Sequence, residues 1–137
     1  MNWKSKFKKA IIILIVLIPI IVYIYRPQPI LSEISKNYIT LRYYDWDSHT
    51  TIDLENEELE QEILNYLDGC KMRFAIFYKS DDNDTPHVRI FMPDIIIFLG
   101  RWKYVYRNGF GYRIIDGDKV LEDIKEIIER YKSLEDI

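Results

Sequence analysis

Asp45, Asp47, His49 and His87 are the residues whose types could assemble a metal site. The first three are spaced two apart, so on an extended strand their side chains would leave one face. A hydrolytic zinc centre needs three or four such ligands and an open position for water. The chain has 2 histidines and no helical His-Glu-x-x-His. The stretch therefore reads first as a solvated turn running toward Asp53, with a metal-assisted hydrolase as the alternative. Asp82 and Asp84, beside Asp81 and Asn83, suggest calcium, which takes several carboxylate and carbonyl oxygens. Counted from Asp82, however, the glycine position of a helix-loop-helix calcium site holds His87 and its glutamate position holds Pro93. The acidic run then reads as a loop bonded to its own backbone. Ser48 beside His49 makes no nucleophile, because base and nucleophile must converge in space and no Gly-x-Ser-x-Gly elbow is present. No cofactor is expected.

Aromatic and cationic side chains are the better clue. If Met72–Lys79 and His87–Met92 are strands, Phe74, Ile76 and Tyr78 face inward with Val88, Ile90 and Met92. Phe77 and Phe91 are left on the side of Arg73, Lys79 and Arg89. Pairing of the two strands around Ser80–Pro86 would make those rings neighbours on a cationic face, the composition of a binding hot spot. Phe77, Arg89 and Phe91 are thus the expected contact surface, unless a helix covers that face. Trp102, Tyr104 and Tyr106 share one side of their strand and are read as core-facing, with Lys103, Val105 and Arg107 outward.

The elements that would position these groups follow from periodicity. Tyr38–Tyr44 alternates as a strand. Asp53 offers a helix cap, and Leu59, Ile63, Tyr66, Leu67 and Cys70 recur at helical spacing up to the stop at Gly69. Pro93-Asp94 turns into the apolar run Ile95–Leu99. Asn108-Gly109 marks a hairpin between Trp102–Tyr106 and Phe110–Ile115. Val120, Leu121, Ile124, Ile127, Ile128, Tyr131 and Leu134 form one stripe on a helix beginning near Asp116 or Asp118. The expected fold class is α+β: strand, helix, strand meander, helix, with an antiparallel sheet and two helices packed on one face. Cys70, the lone cysteine, closes an apolar stripe and is expected buried.

Ahead of this domain, Lys4, Lys6, Lys8 and Lys9 lead into the apolar run Ala10–Tyr25. The run reads as an uncleaved signal anchor, since bulky Val22, Tyr23, Ile24 and Tyr25 stand where a cleavage site needs small residues. Residues 1–9 form a cytoplasmic basic segment, 10–25 a single transmembrane helix in the lipid bilayer, 26–32 a short stalk with Pro27 and Pro29, and 33–137 an extracytoplasmic domain. Lysines before the run place the N-terminus in the cytoplasm and the domain outside, at a bacterial cell membrane. After Lys9 there are 15 basic and 22 acidic residues, a balance that excludes nucleic acid as the default partner. About seven stalk residues reach roughly 20 Å in an extended proline-biased conformation, which keeps the domain close to the bilayer.

The Ser80–Pro86 loop, the following strand, the Tyr104–Arg113 hairpin and the closing amphipathic helix together resemble a domain family of unknown function. That family is found in small membrane-anchored or lipoprotein-like extracytoplasmic proteins of Gram-positive bacteria. The resemblance spans about Glu33–Tyr131 and implies a place and a fold, with no catalytic residues to carry over; the lipid-accepting cysteine of some members is missing here. The expected function is a non-enzymatic, membrane-tethered interaction domain. Its partner would be a protein, peptide or envelope component near the membrane. An immunity-type protein against a secreted toxin is a special case of that reading.

Overall fold

The structure, a computed structural model, describes residues 2–45, 48–75 and 87–135. Helix α1, Trp3–Ile24, starts where the side chain of Asn2 accepts the Lys4 amide, and it takes in the four lysines as well as the apolar run. Its 22 residues span about 33 Å at 1.5 Å per residue, the thickness of a bilayer's hydrocarbon core. None of them is buried, and mean hydropathy reaches 2.5. The helix is long and apolar enough to cross a membrane.

The chain is α+β, with the expected antiparallel sheet and two further helices. Strands β1 (Gln28–Pro29), β2 (Thr40–Asp45), β3 (Thr50–Leu54), β4 (Lys71–Phe74), β5 (Val88–Phe91), β6 (Ile95–Leu99), β7 (Lys103–Arg107) and β8 (Phe110–Ile114) lie in the order β1-β4-β8-β7-β6-β5-β2-β3. Helices α2 (Glu57–Leu67) and α3 (Gly117–Glu135) pack on one face of it. Leu59, Ile63 and Leu67 of α2 and Val120, Leu121, Ile124, Ile127 and Ile128 of α3 are buried there against Leu41, Val88, Ile90, Ile95, Ile97, Leu99, Val105 and Ile114. Tyr66 and Cys70 pack at the margin of this core. Cys70 is half-buried, its thiol donates to the Tyr66 carbonyl, and burial pushes its pKa up.

Several local expectations are corrected. β3 replaces the start of the expected helix: Asp53 lies in a strand paired to Arg42, and the cap is Asn56, whose side chain accepts the Leu59 amide at 3.1 Å. Replacing Asn56 with alanine should cost about 1 kcal/mol, read as a fall of several degrees in the unfolding midpoint. β4 and β5 do not pair. β4 lies between β1 and β8, and β5 lies between β2 and β6. They run parallel with three strands between them, so they are not the two arms of a hairpin. The segment read as a stalk contributes β1, and Ile30 and Leu31 enter the core. Only residues 25–27 separate α1 from the sheet.

The hairpin signal holds. Asn108 and Gly109 both have positive φ, 51° and 83°, as the tight turn joining β7 to β8 requires. A polar network also secures the segment entering the domain. The Ser35 hydroxyl, fully buried, and that of Ser32 donate to the two oxygens of Asp94 at 2.6 and 2.7 Å. Arg107 donates to the Ile30 carbonyl nearby.

Candidate functional site

Register fixes what the other face of the sheet displays. Directly opposed residues share a face, and one lateral row runs Arg73, Arg113, Tyr104, Phe98, Arg89, Arg42, Asp53 across seven strands. The next row holds Gly111, Tyr106, Ile96, Phe91 and Thr40. Both rows alternate with the buried residues of the core face, so they lie opposite α2 and α3. Phe98 and Tyr104 stack, ring centroids 4.7 Å apart and planes 18° apart. Arg42 donates from Nε to Asp53 at 3.0 Å and holds its guanidinium 5.3 Å from the Phe91 ring centroid.

Arginine faces arginine twice, Arg73 against Arg113 and Arg89 against Arg42. Like charges directly opposed across a strand pair destabilise a sheet. Asp53 offsets the second pair through Arg42. Among the described residues no ion pair involves Arg73, Arg89 or Arg113. Among the described residues the buried Nε of Arg89 has no hydrogen-bond partner, an arrangement that costs free energy unless an acceptor arrives.

Of the expected contact residues, Arg89 and Phe91 lie on this face, half-buried; Phe77 lies outside the described residues. The neighbours first expected for them, across a β4–β5 hairpin, are replaced by Arg42, Ile96 and Phe98. Tyr104 and Tyr106 also face this side, not the core, which corrects their expected orientation: Val105 is fully buried between them. The physical reason is that Lys103 and Arg107 run along the helix side and carry their charges to its margins, Lys103 to Asp118 at 2.6 Å and Arg107 to the Ile30 carbonyl. Trp102 precedes β7 and is exposed. The hairpin signal in the sequence could have found this, since a two-residue turn at Asn108-Gly109 puts Tyr104 opposite Arg113.

The possible metal ligands diverge. Asp45 ends β2 on the helix side and reaches Lys132 of α3 at 3.6 Å, whereas exposed His49, at φ 52°, meets the Tyr44 hydroxyl at 3.4 Å. Asp45 and Tyr44 are successive residues of one strand, so these partners lie on opposite faces. His87 is half-buried; burial and then the Lys125 cation lower its pKa. Asp47, Asp82 and Asp84 lie outside the described residues. Among the described residues no group of three or more His, Cys, Asp or Glu could hold a metal ion.

No family model, curated protein or solved structure matches the chain.

Proposed function

We propose that this chain is a membrane-tethered, non-enzymatic binding domain whose open sheet face receives an acidic segment of a protein or peptide partner. The directly opposed Arg89 and Arg42 beside an aromatic stack carry this reading. The fold bears their mutual repulsion, which Asp53 offsets only through Arg42, and an incoming anion relieves it further. Stacked Phe98 and Tyr104, with Phe91, supply rigid apolar area between the charges, the pattern of an interaction hot spot. The α1 helix supports tethering. Lysines at its start favour a single pass with the N-terminus in the cytoplasm and the domain outside the cell membrane. Likeness to membrane-anchored extracytoplasmic domains of Gram-positive bacteria belongs to this same proposal.

The test uses the full chain in lipid nanodiscs with a glutamate-rich peptide and a lysine-rich peptide of equal length. The glutamate-rich peptide should bind and weaken as salt is raised. Equal binding of both peptides, or preference for the lysine-rich one, would contradict the proposal.

A further inference from the structure

The end of the arginine row nearest α1 has surroundings of its own. A groove of about 600 Å³ is lined by Tyr25, Arg73, Phe74, Ala75 and Arg113, with Ile114, Ile115 and Asp116 at and beyond the end of β8, and Asp116 is the one carboxylate among the described lining residues. Tyr25 is the residue after α1, and its ring meets Phe74 edge-on at 5.7 Å. Phe74 in turn contacts Phe110 at 6.1 Å and Tyr112 at 5.7 Å. Phe110, beside the tight turn between β7 and β8, is 56% exposed. The opposed and exposed Arg73 and Arg113 therefore share a groove with the first ring beyond the apolar helix.

For a helix crossing a bilayer, that first ring stands at headgroup level, where aromatic side chains collect. Arg26 reinforces the placement: its guanidinium sits 3.8 Å from the Tyr23 ring centroid and donates to the Tyr23 carbonyl. Only residues 25–27 intervene before β1, so the groove cannot swing far from the lipid surface. We propose that this groove binds the phosphate headgroup of an anionic lipid in the membrane that α1 enters. Arg73 and Arg113 take the phosphate oxygens, for which a planar guanidinium is suited. Tyr25, which lines the same groove, packs against the glycerol and upper acyl carbons. The site rests on the tethered reading and makes the domain's orientation on the bilayer depend on lipid charge.

The test reconstitutes the full chain in nanodiscs of phosphatidylcholine mixed with phosphatidylglycerol and measures, by native mass spectrometry, which lipid stays bound after the disc is stripped. Phosphatidylglycerol should be enriched. Arg73→Gln with Arg113→Gln should reduce that enrichment roughly tenfold or more, on the scale of two cations at an anionic surface, while Arg73→Lys with Arg113→Lys should keep much of it. Unfolding midpoints of both variants check that the fold is intact. Equal retention of the two lipids by the native chain would overturn the site. So would retention of enrichment by the glutamine variant, or displacement of the lipid by inorganic phosphate alone. Release of the native chain from membranes by alkaline carbonate would instead overturn the tether, so the two readings fail separately.

Discussion

Replacing Arg89 with serine and Phe91 with alanine is expected to weaken binding of the acidic partner at least thirtyfold while leaving the unfolding midpoint nearly unchanged. The binding loss follows from removing one charged and one aromatic anchor, each of a kind that typically contributes about 2 kcal/mol or more at an interface. Stability should hold because two effects oppose. Loss of Arg89 removes its repulsion with Arg42 and the cost of its unpartnered Nε. Loss of Phe91 removes the ring under Arg42, worth about 0.5–1 kcal/mol at a partly exposed site. Equilibrium binding and thermal melts on the same preparation check both halves. A variant that binds as the native chain does would remove Arg89 and Phe91 from the contact surface.

The second large effect concerns Asp94. Replacing it with alanine should cost about 2–3 kcal/mol near neutral pH, because a carboxylate accepting two hydroxyls is lost and the buried Ser35 hydroxyl keeps only Ser32 as a partner. The same network sets a pH dependence. Burial alone would raise the Asp94 pKa; the hydroxyls of Ser35 and Ser32, its own amide and Arg107 outweigh burial and hold it below the usual carboxylate value. A carboxyl whose pKa is depressed on folding contributes stability in full above its unfolded pKa, about 3.9, and loses it as pH falls through the folded value. The native chain and Asp94→Ala should therefore differ most above the unfolded carboxylate value, and the gap should narrow as the pH falls through the lower folded value. Chemical denaturation at several pH values measures the gap. A gap constant across that range would show that the carboxylate charge contributes nothing.

What could be read directly from sequence was local. The Asn108-Gly109 turn states its own geometry, because few residues accept two successive positive φ values. The α2 and α3 stripes state theirs, because period 3.6 marks the buried side regardless of partner. Failures came where the deciding neighbour is distant. Thr50–Leu54 carries too short an alternation to declare itself, and only pairing with β2 makes it a strand. Alternation cannot orient β7, because both of its faces carry amphipathic side chains; the Asp118 carboxylate and the Ile30 carbonyl give Lys103 and Arg107 their place on the helix side. Strand order was the hardest part. Short connections suggest sequential neighbours, yet β4 joins β8 at the far end of the β5–β8 meander. Hence alternation places Arg89 and Phe91 opposite the buried residues but does not name their neighbours, and the row completed by Arg113, Tyr104, Phe98 and Arg42 depends on register.

The most direct measurement is site-specific photo-crosslinking of the full chain in intact cells, with a photoreactive residue at Phe91 on the open face and a control at Glu126, exposed on α3. A binding face on the open side of the sheet predicts one partner crosslinked from position 91 and absent from 126, lost when Arg89 is replaced by serine. The same products from both positions, or none from 91 with the chain correctly inserted, would contradict it.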